Sequence, residues 1–183
     1  MTPRGLGWVL AGLLAAASAS ADPRVYFSSQ DDVQKQILSA IDGSHSTLDA
    51  ALFEISSPVL ARALKRAAQR GVTVRLITSS RNQPAGLEKG WVPNLEIRTL
   101  AGRSSHRGFM HNKFAVFDRA CIVTGSFNWT KGAEYANYEN ALFEDDSGIV
   151  DAYSRQFEYL WEKASVVSGF STRARVRKVV VHE

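Results

Sequence analysis

Residues 111–130, HNKFAVFDRACIVTGSFNWT, hold two short apolar runs, FAVF and CIVTG, on either side of Asp118-Arg119-Ala120. Each run is too short for a stable helix and is rich in β-branched and aromatic residues, so the pair reads as two antiparallel strands joined by a turn. That hairpin limits the fold. Whatever else the chain builds, its sheet contains an antiparallel pair.

The remaining segments alternate strand and helix signals. RVYFS (24–28), STLDAALFEI (46–55), VTVRLITS (72–79), LEIRTL (95–100) and ENALFED (139–145) read as strands. Between the first two, SQDDVQKQILSAI (29–41) places Val33, Ile37, Leu38 and Ile41 on one helical face. A second helix is fully punctuated, with Ser57 as N-cap, Pro58 in the first turn, an apolar stripe through Leu60, Leu64 and Ala67, and Gly71 at the end. Arg62, Lys65, Arg66 and Arg70 make its solvated face. A third helix starts at Ser147 and keeps helical spacing through Val150, Tyr153, Phe157, Leu160 and Trp161. Residues 80–94 and 101–109 read as loops. Strands interleaved with helices imply an α/β fold, an α-β-α sandwich around a mixed sheet, because the hairpin sits inside it. With 45% hydrophobic and 22% charged residues, 183 positions suit one domain.

The first residues stand apart from that domain. Arg4, the apolar run from Gly5 to Ala17, and Ala19-Ser20-Ala21 before Asp22 read as a cleavable signal peptide, with cleavage expected after Ala21. The run is short for an uncleaved anchor. A periplasmic or secreted protein is the expectation, with no stable membrane insertion once the signal is removed. Cleavage takes away Arg4 and no acid, so the formal charge falls from +4 to +3. This mildly basic balance is compatible with a polyanionic partner without requiring one. Arg173, Arg175, Arg177 and Lys178 make the tail 172–183 basic, and a solvated terminus is preferred over a nucleic-acid arm. Cys121 is alone, which excludes an internal disulfide and favours a buried small hydrophobe.

Polar residues cluster at the hairpin. Side chains alternate along a strand, so His111 and Lys113 share a face while Asp118 has the opposite parity. A tight turn centred between Arg119 and Ala120 would set Lys113 opposite Ser126 and His111 opposite Asn128, with cross-strand partners roughly 5 Å apart. Arg-Ala is a poor hairpin dipeptide, and a slip of one residue would undo the alignment. The cluster suits a phosphate. A neutral imidazole can attack phosphorus and form a covalent intermediate; Lys113 and the Asn128 amide can bind non-bridging oxygens, with the Ser126 hydroxyl as a further donor. No metal site is expected in the hairpin, since a two-metal nuclease needs clustered carboxylates. The acidic runs Asp31-Asp32 and Glu144-Asp145-Asp146 lie beside helix starts, where acids favour the helix dipole. Asp118 is expected to satisfy turn backbone groups rather than to touch substrate.

The pattern His-x-Lys-(x)4-Asp in HNKFAVFD, followed by Gly-Ser-x-Asn in GSFN, resembles the HKD signature of the phospholipase D superfamily. GSFNWTKGAEYANYENALF extends the resemblance to the short bacterial Nuc-type endonucleases. Longer members usually have Asn at the fifth place of Gly-Ser-x-x-Asn; here that place is Trp129, and Asn128 precedes it, as in the short nucleases.

The resemblance implies that His111, Lys113, Asp118, Ser126, Asn128 and Glu139 form the catalytic set. It further implies that Glu139 hydrogen-bonds the far ring nitrogen of a catalytic histidine. It implies two histidines, one attacking and one protonating the leaving oxygen, with no cofactor and no metal. His45, His106 and His182 lack a Lys two residues on, so the second histidine is expected from another copy in a homodimer. Arg103, His106 and Arg107 in the preceding loop favour nucleic acid, DNA or RNA, as partner. Phe109, Met110, Trp129, Tyr135 and Tyr138 could stack on bases, line an acyl groove or, for most of them, serve only as packing. Lys113, Ser126, Asn128, Arg103, Arg107 and Trp129 are the expected substrate contacts. A metal-independent, non-specific endonuclease is the first expectation. A secreted phospholipase D-type lipid hydrolase is the second, and a catalytically idle nucleic-acid-binding module the third.

Overall fold

The computed structural model describes residues 22–167, apart from 83, 88–91 and 105–106. The expected signal segment 1–21, the basic tail 172–183 and His106 lie outside the described residues. Eight strands form one mixed sheet: β1 (Arg24–Phe27), β2 (Thr47–Leu52), β3 (Thr73–Ser79), β4 (Leu95–Leu100), β5 (Lys113–Phe117), β6 (Cys121–Gly125), β7 (Asn140–Glu144) and β8 (Ser165–Val166). Their order is β1-β7-β6-β5-β2-β3-β4-β8. β2, β3 and β4 run parallel, and the other pairings are antiparallel.

Helices cover both faces, giving the expected sandwich. α1 (Val33–Gly43) and α2 (Pro58–Gln69) pack on one face, where Ile37, Leu60, Leu64, Ala115 and Phe117 share a core. α4 (Ser147–Lys163) covers the other, where Phe114, Val116, Ile122 and Phe157 form a second core. A short helix, α3 (Lys131–Tyr135), and the two-residue β8 are additions to the sequence reading. The helix ends follow side-chain chemistry. The Ser57 side chain accepts from the Leu60 amide ahead of Pro58, and Gly71 takes φ +102° beyond α2. Asp32 and Asp146, from the two acidic runs, cap α1 and α4.

Arg75 ties α4 to the sheet. Its guanidinium makes two 2.7 Å bonds to Asp49 of β2 and bonds Glu158 of α4 at 2.7 and 3.0 Å, while lying over the rings of Phe157 and Trp161 at 4.9 and 5.4 Å. Burial pulls its pKa down, but these carboxylates outweigh burial and raise it.

The β5–β6 register departs from the expected one. Phe117 pairs with Cys121 and Phe114 with Thr124, so Lys113 stands opposite Gly125 rather than Ser126. The cause is the turn. Asp118 and Arg119 both adopt left-handed backbone, at φ 52° and 53°, making a three-residue connection. A bulge after β6 compensates, because the amides of Ser126 and Phe127 both donate to the Asn140 carbonyl, at 3.2 and 3.3 Å. A side chain on Gly125 would come within 2.3 Å of that oxygen, so only glycine permits the approach. The bulge returns Ser126 to the sheet face that carries Lys113, where it bonds Glu139.

Asp118 sits at the other end of β5 from His111, and its place in the catalytic set is corrected. Its carboxylate accepts from the amides of His45, Ser46 and Thr47 and from the Ser46 hydroxyl, at 2.8–2.9 Å. It joins the hairpin turn to the start of β2. Burial raises its pKa, but these donors overcome that and hold it down, from an ordinary 3.8 to about 2. A depressed carboxylate contributes stability above its unfolded pKa, and the contribution is lost as pH falls through the folded value. Between pH 4 and 2, acid unfolding monitored by circular dichroism should show a loss of roughly 2 kcal/mol that Asp118→Asn removes. An unchanged acid transition in the variant would contradict this role.

Candidate active site

The polar residues meet at one end of the sheet, where β2, β3, β4 and β6 finish and β5 and β7 begin. In open α/β sheets the carboxyl ends of parallel strands are the usual ligand crevice. His111 precedes β5 on an exposed stretch, and its ring centre lies 4.5 Å from that of Phe53, just beyond β2. Lys113 Nζ lies 3.3 Å from His111 Nδ1, donates to the His111 carbonyl at 3.1 Å and sits 5.3 Å from the centre of the Phe53 ring. Burial first, and then the Lys113 charge, lowers the His111 pKa from 6.5. A lowered pKa favours the uncharged ring, which retains a lone pair, at neutral pH. Burial also lowers the Lys113 pKa, against the pull of the Glu139 carboxylate.

A carboxylate-centred network faces this pair. Ser126 Oγ donates to Glu139 Oε2, Asn137 Nδ2 donates to Oε1 at 3.1 Å, and the Asn140 amide donates to Ser126 Oγ at 3.1 Å. Ser28 locks the loop from behind: its hydroxyl donates to the Asn137 carbonyl at 2.7 Å and accepts from the Glu139 amide at 2.9 Å. Glu139 forms no hydrogen bond with His111 of its own chain among the described residues. Asn128 is half-buried, and its Oδ1 has no hydrogen-bond partner among the described residues. Its neighbour Trp129 lies along residues 54–57, taking a hydrogen bond at its carbonyl from the amides of Ser56 and Ser57.

Trp129 is 2% exposed and packs in the core, which removes it from the expected substrate contacts. Its apolar bulk joins the α1/α2 core instead. Met110 is also buried, whereas Phe109, Tyr135 and Tyr138 are exposed. Arg103 and Arg107 are exposed on the loop before β5, and Arg103 lines a cavity with His111. Phe53 and Ser28 were missed in the sequence. Phe53 left only the trace of an aromatic at the end of a buried strand, and Ser28 left none. No three His, Cys, Asp or Glu side chains among the described residues gather as a metal ion would need.

The neutral state of His111 is directly measurable. Its imidazole resonances should titrate below pH 6.5 in NMR, and Lys113→Gln should move the midpoint upward by removing a neighbouring positive charge. A midpoint above 6.5 in the separated, undimerised chain would contradict the site's electrostatics.

A mixed sheet between helices, with an HKD-bearing hairpin that starts at the carboxyl ends of its parallel strands, defines a phospholipase D-like domain. The chain belongs to that family: the domain described as "Cardiolipin synthase, PLD-like domain" matches residues 37–161. Mitochondrial cardiolipin hydrolase of Xenopus laevis is 40% identical over 134 residues, covering 73% of this chain and 63% of that protein. Its Homo sapiens counterpart is 36% identical over 129 residues, covering 70% and 50%. The chain thus spans about half to two thirds of the length of these relatives. NucT from Helicobacter pylori has the same fold, with a TM-score of 0.73 at 24% identity over 80% of this chain and 99% of that one. Nuc from Salmonella typhimurium follows at 0.67 and 24%, covering 80% and 97%.

Proposed function

We propose that the exported chain is a metal-independent phosphodiesterase, an endonuclease cleaving DNA or RNA through a phosphohistidine in a site shared by two copies. The observation that carries this reading is the exposed His111 held against Lys113, opposite the Ser126–Glu139 pair. A ring nitrogen of one His111, uncharged, attacks phosphorus as the bond to the leaving oxygen breaks, and His111 of a second copy, protonated at the start and held so by a Glu139 carboxylate across the interface, gives that oxygen its proton. Water then adds to phosphorus, the nitrogen–phosphorus bond breaks, and the second histidine takes up the water's proton. Lys113, Ser126 and Asn128 bind the non-bridging oxygens. Glu139, which does not meet the histidine of its own chain, orients the histidine of the other. Arg103 and Arg107 supply positive charge for a polyanion.

A second reading, a phospholipase D-type lipid hydrolase, is favoured by the relatives named as cardiolipin hydrolases. No helix among the described residues is long and apolar enough to cross a membrane. The two readings separate in one assay. With excess EDTA, the mature chain should degrade plasmid DNA, single-stranded DNA or RNA while leaving cardiolipin and phosphatidylcholine vesicles intact; the reverse result would establish the lipid reading, and dependence on added divalent metal would overturn the chemistry.

A further inference from the structure

Beside His111, a cavity of about 280 Å3 opens between the loop before β5 and the outer face of α4. Met110 and Leu160, both buried, line it together with the exposed rings of Phe109 and Tyr159. The Gln156 carboxamide and Arg103 stand in its lining. Lys163, which also lines it, lies 4.6 Å from the centre of the Tyr159 ring. None of these α4 residues takes part in the phosphate chemistry above.

Local structure holds the aromatic wall in place. The loop closes on itself through an Ala101–Phe109 bridge, and a side chain on Gly102 would meet the Gly108 and Phe109 backbone at 2.1–2.2 Å. Phe109 is further gripped between Arg81, 4.5 Å from its ring centre, and the edge-on ring of Phe53. Phe53 is also the ring that supports His111. One aromatic row therefore links the nucleophile to the cavity wall.

We propose that this cavity is a slot for the nucleobase next to the scissile phosphate, stacked on Tyr159 and Phe109 with its edge facing Gln156. The inference rests on the nuclease reading and specifies how it holds its strand. A base needs flat apolar faces, edge hydrogen-bond partners and positive charge beside its phosphates, and the lining offers all three. The Gln156 amide, the guanidinium and the ammonium have no counterpart on an acyl chain, whereas a nucleotide offers a polar base edge and phosphates to meet them. Because every base has a π-face, the slot gives grip and register with little base preference.

The test uses single-stranded oligonucleotides in which an abasic nucleotide is moved one position at a time past the cut. With the native chain, one abasic position adjoining the cut should raise KM about tenfold. In Tyr159→Ala, the KM ratio of that abasic strand to the intact strand should fall to about one. Gln156→Ala should lower the ratio in part. An equal loss on both strands, with the ratio kept, would show Tyr159 to be structural and overturn the slot. So would a native KM indifferent to the abasic position. Cleavage of no oligonucleotide would remove the nuclease reading and the slot together. Hydrolysis of cardiolipin vesicles with a KM raised by Tyr159→Ala would assign the cavity to an acyl chain instead.

Discussion

His111→Ala lowers phosphodiester turnover by at least about 10⁴-fold while leaving the thermal transition within a degree or two of the native chain. Loss of a covalent nucleophile removes the intermediate itself, and neighbouring groups that bind the phosphate recover only a small part of the rate. The fold should not suffer. His111 is exposed, precedes β5 rather than lying in it, and its ring contacts are to Phe53 and Lys113. Surface substitutions of this kind ordinarily stay within about 0.5 kcal/mol. Turnover of a phosphodiester together with calorimetry checks both halves, and a variant retaining a tenth of the rate would remove His111 from its role.

The second large effect is on stability. Asp49 is 4% exposed, and its partner Arg75 is fixed between two rings and two carboxylates. Asp49→Ala leaves a guanidinium in the α4 interface with half its partners, at a cost of about 3 kcal/mol. For a chain of this size that is a Tm lower by roughly 6–12 °C. The doubly substituted Asp49→Leu, Arg75→Met should recover part of the loss, because a buried pair replaced by apolar groups of similar volume is close to neutral. If the single variant melts with the native chain, α4 is held by its apolar face alone.

Much of the architecture was legible because local chemistry and tertiary packing agree. Around α2, Ser57, Pro58 and Gly71 act where their side chains or backbone freedom are required. The acidic runs serve as caps, through Asp32 and Asp146. The hairpin register was not legible, since it depends on Asp118 finding donors at residues 45–47, remote in sequence, and on a bulge against Asn140. Ser126 regains its place through two departures from regular pairing that offset each other. Trp129 shows the opposite limit. Its position beside the motif suggested a stacking surface, yet a large ring in the connection between β6 and α3 is equally suited to the core, and only the path of residues 54–57 decides between them. Ser28 enters the site through the β1–β7 pairing, which no short motif encodes.

The central claim is that one chain carries half of the chemistry. Copies bearing two different tags, one native and one His111→Ala, can be expressed together and the mixed dimer isolated through both tags. If the attacking and protonating imidazoles come from separate chains, this dimer should retain less than about 1% of the native rate, close to the doubly substituted dimer. Half of the native rate would contradict the account, because each chain would then hold a complete site.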